Sequence, residues 1–247
     1  MHSSDNAATT LDGILLVDKP EGPTSMRVIE RVRRAAGGVR CGHAGTLDPL
    51  ATGLLVVALG RFTKEIDRLM GGDKKYETVI DLSAFTATDD REGERIAVAI
   101  DQPPTAVEIE AALKAFRGSI MQTPPAFSAV KIGGRRSYDI ARRAMKAAPS
   151  AGTTDAAPEP TRSAPRPALV HELTLRSYEW PLVTLDIHCA KGFYVRSLAR
   201  ELGLALHTGG YCHAIRRTWS APFSVDHACA LDSLPDAITA AHLLRIP

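Results

Sequence analysis

No charge of one sign dominates this sequence. Its 247 residues hold 30 Lys and Arg against 28 Asp and Glu, for a formal net charge of only +2. That balance does not announce a nucleic-acid-binding surface over the whole molecule, so any basic footprint must be local. Long apolar runs are also missing. The longest, Leu54 to Leu59, is far too short to cross a bilayer as a helix, and no membrane partner is expected. Met1 to Thr10 have neither a basic start nor an apolar core, which argues against a secretory signal and for a cytoplasmic protein. Cysteine is scarce, and Cys41, Cys189, Cys212 and Cys229 form no Cys-x-x-Cys pair. Without an export signal they are expected to be reduced, buried thiols. The eight histidines show neither His-x-His nor HExxH spacing, so no metal is expected.

What is present is a chain that is 45% hydrophobic, enough for one large or two smaller domains. Gly13 to Asp18 reads as a buried strand ended by a Lys-Pro-Glu-Gly-Pro turn. A helix follows, capped by Thr24 or Ser25, with Val28, Ile29, Val32 and Ala36 on one face and Arg27, Arg31 and Arg34 on the other; Gly37-Gly38 stops it. Leu54 to Leu59 is a second buried strand, and Phe62 to Met70 a short helix. Tyr76 to Phe85 alternates as a strand does, and Thr86 to Gly93 is a polar turn. Thr105 to Glu108 fits a capping box, opening a helix lined by Ile109, Leu113 and Phe116. Gln122 to Gly134 suggests a hairpin or loop excursion. Strands are expected over Leu169 to Tyr178, Val183 to Cys189 and Tyr211 to Thr218, helices over Phe193 to Leu206 and Asp236 to Leu244. The irregular alternation favours an α+β fold with a mixed sheet over a doubly wound one.

The stretch Gly42-His43-Ala44-Gly45-Thr46-Leu47-Asp48-Pro49-Leu50-Ala51-Thr52-Gly53 is the most informative. It reads as too rich in glycine for a regular element. Its glycines permit sharp turning, and Pro49 biases Asp48 towards an extended backbone. The picture is one carboxylate on a rigid loop at a sheet edge. Spacing alone favours the plainer reading, a tight turn capped by Asp48.

Other segments change that balance. Together with Leu16 to Gly22, Asp73 to Tyr76, Gln122 to Lys131 and Lys191 to Leu198, the stretch resembles, in order and with fitting spacing, the motifs of the TruB/dyskerin family of pseudouridine synthases. The resemblance runs from about Gly13 to about Leu234. It implies a pseudouridine synthase fold over residues 13–234: a mixed, largely antiparallel sheet flanked by helices, with a thumb-loop insertion at 122–167. Residues 1–12 would be a disordered tail and 235–247 a short helix. It further implies isomerisation of uridine to pseudouridine in the tRNA T loop, at position 55, by a monomer that needs no cofactor. Asp48 would be the nucleophile, Tyr76 the ring stacking on the target base, and Arg196 the cation paired with Asp48. Lys19 would support the site, Tyr194 would pack against the flipped base, and His43 would fill the space that base leaves. An ionised carboxylate in a closed pocket is disfavoured by desolvation, and a guanidinium suits it as a fork-shaped partner.

Between Lys131 and Lys146 stand Lys131, Arg135, Arg136, Arg142, Arg143 and Lys146 against Asp139 alone. This dense single sign, next to Phe127 and Tyr138, points to RNA phosphates of the tRNA T-arm. A Pro- and Ala-rich stretch follows, over 147–167, that reads as a mobile loop. Arg216 and Arg217 are expected near the RNA, and His213 is expected to be structural. With few residues after Leu234 in the sequence, the PUA-related domain usual in bacterial members is not expected here. The competing reading is a tRNA-binding or tRNA-folding chaperone in which catalysis is secondary. A hydrolase with a carboxylate nucleophile would need a second acid linked to Asp48, and the sequence offers none.

Overall fold

In a computed structural model, residues 11–128, 131–132, 135–136 and 162–245 are described, with the backbone alone for 131–132 and 135–136. In chain order the strands are β1 (Gly13–Lys19), β2 (Cys41–His43), β3 (Thr52–Leu59), β4 (Lys74–Asp81), β5 (Ala84–Thr86), β6 (Arg95–Ala97), β7 (Gly118–Gln122), β8 (Lys131–Ile132), β9 (Arg135–Arg136), β10 (Arg166–Glu179), β11 (Leu182–Cys189), β12 (Tyr211–Ser220), β13 (Phe223–Ser224) and β14 (Cys229–Ala230). The helices are α1 (Ser25–Ala35), α2 (Ile66–Met70), α3 (Ala106–Leu113) and α4 (Val195–Ala205). They fall into two compact units, one of residues 1–74 with 216–247, the other of residues 75–215.

In the first unit β3 is the central strand. Leu54, Leu55, Val57, Ala58 and Leu59 have at most trace exposure, as expected for a continuous apolar run buried on both faces. β1 pairs with β3 antiparallel from Gly13↔Leu59 to Lys19↔Gly53, and β14 adds to β1 in parallel. The other edge of β3 is shared. β2 pairs antiparallel with its far half, and β12 joins in parallel only at Thr52 and Gly53. Helix α1 starts where Thr24 Oγ1 accepts the Arg27 N–H at 3.2 Å, and it buries Ser25, Val28, Ile29 and Val32. It stops where Gly37 and Gly38 take positive φ of 67° and 87°.

The second unit is built on β4, β11, β10 and β7 in that order, with the first half of β12 beside β4. β10 and β11 form a long antiparallel hairpin, with register shifts between Val170 and Glu172 and between Leu175 and Ser177. The capping box expected at Thr105 forms in full: Thr105 Oγ1 accepts from Glu108 N, and Glu108 Oε2 from Thr105 N at 2.7 Å. Helix α4 buries Val195, Leu198, Ala199 and Leu202. Gly203 lets it approach the chain closely, for a Cβ there would lie 2.2 Å from the carbonyl oxygen of Gly209.

The α+β class and the mixed, mostly antiparallel pairing agree with the sequence reading. Several boundaries do not. The glycine-rich stretch is regular at both ends, since Gly42 and His43 lie in β2 and Thr52 and Gly53 in β3. Phe62 to Met70 divides into a 3-10 segment, Gly60–Glu65, and the short α2. The helix expected over Asp236 to Leu244 is replaced by a single 3-10 turn, Ala240–His242. Tertiary backbone bonds win there: Ile238 N donates to Ala35 O, and Leu244 exchanges two 2.8 Å bonds with Ile14. Asp12, placed in the expected tail, binds Arg61 through its backbone N–H and its Nε, both at 2.7 Å. Residues 1–10 of that tail lie outside the described residues.

Leu198 is fully buried. Leu198→Ala is expected to lower stability by about 2–5 kcal/mol, read from urea unfolding followed by circular dichroism. A loss under about 1 kcal/mol would show that α4 is not packed as described.

Candidate active site

In the first unit the chain leaves β2 after His43 and re-enters β3 at Thr52, and the intervening loop carries Asp48. Asp48 is half-buried, while Leu47 and Leu50 on either side are buried. The loop is tied down residue by residue. Ser25 Oγ donates to Leu47 O and accepts from Leu47 N, both at 2.9 Å. Lys19 has no exposed surface, and its ammonium donates to the carbonyls of Pro20 and Pro23 at 2.9 Å and of Pro49 at 3.2 Å. Three carbonyls match the three N–H donors of an ammonium, which offsets the cost of burying it. Gly22 N donates to Pro49 O as well, and Ala51 N closes a turn on Asp48 O. The residues before and after Asp48 are thus both anchored to buried groups.

His43 lies at the end of β2, with its Nδ1 buried and without a hydrogen-bond partner among the described residues. Burial, and then the positive charge of Arg217, push its pKa below the usual histidine range. Arg216 and Arg217, expected near RNA, are occupied by the protein itself. Arg216 grips Asp18 with two bonds, at 3.0 and 2.7 Å. Arg217 is only 2% exposed and donates to backbone carbonyls. Neighbouring arginines in a sequence read as surface charge, and no local pattern marks Arg217 as buried.

The second unit holds Tyr76, Tyr194 and Arg196. Tyr76 is half-buried in β4, on the strand face that also carries buried Thr78 and Ile80. Tyr194 is the residue before α4. The amide of Gln122, itself 2% exposed, bonds both its N–H and its carbonyl, at 2.8 and 3.0 Å. Arg196 is buried in the first turn of α4. Its Nη1 donates to Thr88 O at 3.0 Å and sits 3.4 Å from Asp90 Oδ2, and its Nη2 donates to Phe127 O at 2.9 Å. Asp90 was not foreseen: it lies in a segment that reads only as a polar turn. Its other oxygen accepts from Thr88 Oγ1 at 2.6 Å and Glu92 N at 3.1 Å.

One turn further along α4, Arg200 meets the preceding acid. Asp89, with a left-handed φ of 59°, takes Arg200 at 2.8 Å and a two-pronged contact from Arg162 at 2.6 and 3.0 Å. Arg200 also donates to Thr123 O and to Glu201. Two arginines spaced i, i+4 on one helix face thus meet two consecutive carboxylates, a pairing that only the tertiary fold reveals. For Lys131, Arg135 and Arg136 the backbone forms the small β8–β9 ribbon, Lys131↔Arg136 and Ile132↔Arg135. Arg142 and Arg143 lie outside the described residues. Lys19 reaches the Asp48 loop through Pro49 O within the first unit, and Arg196 meets Asp90 within the second.

Residues 33–195 match the model of the TruB family pseudouridylate synthase N-terminal domain. The chain is 44% identical to tRNA pseudouridine synthase B of Cereibacter sphaeroides, over 95% of its own length and 73% of that protein. It is 40% identical to the protein of the same name from Corynebacterium diphtheriae, over 94% and 75%. This chain belongs to the TruB family of pseudouridylate synthases. Its fold is similar to the Cbf5 complex with Nop10 and Gar1, with a TM-score of 0.67 and 28% identity over 91% of this chain. There it spans 54% of the matched chain, about half its length. No described helix is long and apolar enough to cross a membrane.

His43 is expected to stay neutral at pH 7 and to take up its proton only below the ordinary histidine pKa of about 6.5. Between its folded pKa and that value the unfolded chain binds more protons. This group's contribution to stability is therefore complete above pH ~6.5 and is lost as pH falls through the folded pKa. Imidazole NMR titration checks it; a midpoint at or above the ordinary value would contradict the buried, Arg217-facing placement.

Proposed function

We propose that this protein converts uridine to pseudouridine in tRNA, at position 55 of the T loop, with Asp48 as its nucleophile. The observation that carries the reading is the anchoring of Leu47 and Pro49, which fixes the backbone on both sides of that carboxylate. The relatives' names supply tRNA as the substrate class. The T-loop position follows from the resemblance to bacterial members.

The reaction breaks the bond between ribose C1′ and uracil N1 and rejoins C1′ to C5. N1 ends protonated, and the hydrogen of C5 leaves to solvent. The detached base must turn over without escaping, and the target must first be extruded, at a cost of a few kcal/mol of stacking and pairing. By family resemblance Tyr76 stacks on the base, Tyr194 packs against it, and Arg196 supplies the cation of the arginine-bearing segment. His43, a neutral ring with a buried unpartnered nitrogen, suits the space the extruded nucleotide vacates. Lys19 acts on the loop backbone rather than on the base. The segment Lys131 to Lys146, with Lys131, Arg135, Arg136, Arg142 and Arg143, grips the phosphates of the T-arm. No redox step or phosphate transfer occurs, so the chemistry calls for no cofactor.

Asp48→Asn keeps the shape of the side chain and removes its charge. The variant is expected to bind tRNA nearly as well as the native protein and to release no tritium from [5-³H]uridine-labelled tRNA. Retained release would defeat the nucleophile assignment and favour the chaperone reading. Arg142→Glu combined with Arg143→Glu is expected to weaken tRNA binding and to flatten its dependence on salt, because fewer counterions are released. An unchanged slope of log Kd against log salt would remove the basic segment from the binding surface.

A further inference from the structure

Strand β3 loses its neighbour part-way along one edge. β2 pairs with it as far as His43↔Val57, and β12 joins only at Thr52 and Gly53. Between them β3 faces the Asp48 loop. The backbone groups there still need partners, because a buried carbonyl left unsatisfied keeps its full desolvation penalty. Val56 O takes the N–H of Ala44 at 2.9 Å. Leu54 O takes Nε of Arg217 at 2.8 Å, and the same guanidinium donates through Nη2 to Gly45 O at 3.1 Å. One planar group stands in for the missing strand and ties the start of the loop to the strand that follows it.

We propose that Arg217 is a positioning residue for the isomerisation: its buried guanidinium, bridging the Gly45 and Leu54 carbonyls, holds the two ends of the Asp48 loop at a fixed separation. The proposal rests on the reading of Asp48 as nucleophile. Arg217 is the largest fully buried side chain among the described residues. Both glycines that bracket Asp48 lie against Arg217, Gly45 beside its guanidinium and Gly53 beside its backbone. Gly45 has φ 112°, and a Cβ there would come into van der Waals contact with Arg217 Nη1 at 3.4 Å. Gly53 has φ 97°, and a Cβ there would lie 2.3 Å from the Arg217 carbonyl oxygen. Ser25 and Lys19 fix the middle of the loop, and Arg217 fixes its ends. A lysine cannot replace it, since an ammonium is a point donor and lacks the rigid fork that spans two carbonyls.

Displacing a reacting group by about 1 Å through a remote change costs on the order of 100-fold in rate. Arg217→Lys and Arg217→Gln test the role. Thermal melts report folding, filter binding reports tRNA affinity, and single-turnover tritium release at saturating protein reports the chemical step. Both variants are expected to fold and to keep tRNA affinity within about threefold, while the single-turnover rate falls about 10- to 100-fold. A folded variant with the native rate overturns the proposal. So does a loss in affinity that accounts for the whole defect. If neither variant folds, the guanidinium is needed for the fold itself and the positioning role is overturned. Asp48→Asn, run alongside, separates the two claims: turnover by that variant defeats the nucleophile reading, whereas its inactivity beside fully active Arg217 variants removes only the role of Arg217.

Discussion

Arg217 and Lys19 are the two largest fully buried side chains among the described residues, and both direct N–H groups to backbone carbonyls of one loop. Burying a cation is expensive unless its donors are satisfied, and backbone carbonyls satisfy them without neutralising it. The result is a loop whose shape is set by groups that hold no other position as well. The backbone that carries Asp48 is thereby fixed. On the proposed reading of Asp48 as nucleophile, that backbone is set before the substrate arrives.

The second unit uses the same currency differently. There the arginines meet carboxylates as well as carbonyls. Arg196 is shared between Asp90, Thr88 O and Phe127 O, and Arg200 between Asp89, Thr123 O and Glu201. Both carbonyl-bearing segments, 87–93 and 123–127, lie outside the named strands and helices, and helix α4 ties them down. Gln122 adds a third tie by matching both backbone groups of Tyr194. These ties fix the start of α4.

Much of this was legible in the sequence. The apolar runs of β1 and β3, the amphipathic α1 and the capping box of α3 each follow from local pattern, and the structure has them close to where pattern puts them. The family motifs marked Asp48, Tyr76, Arg196 and Lys19. The buried partners were not legible. Arg217 beside Arg216 looks like surface charge, Ser25 like a helix cap, and Asp89-Asp90 like a polar turn. Each takes its role from a residue distant in sequence, which no periodicity encodes. The C-terminal turn failed for a related reason, since helix propensity over Asp236 to Leu244 lost to backbone bonds made with β1 and α1. Arg142 and Arg143 are known from sequence alone.

The most direct measurement gives the purified protein an unmodified tRNA transcript and maps every pseudouridine formed. The account predicts a single new pseudouridine, at position 55 in the T loop. A transcript left unmodified, or modified only elsewhere, would contradict it.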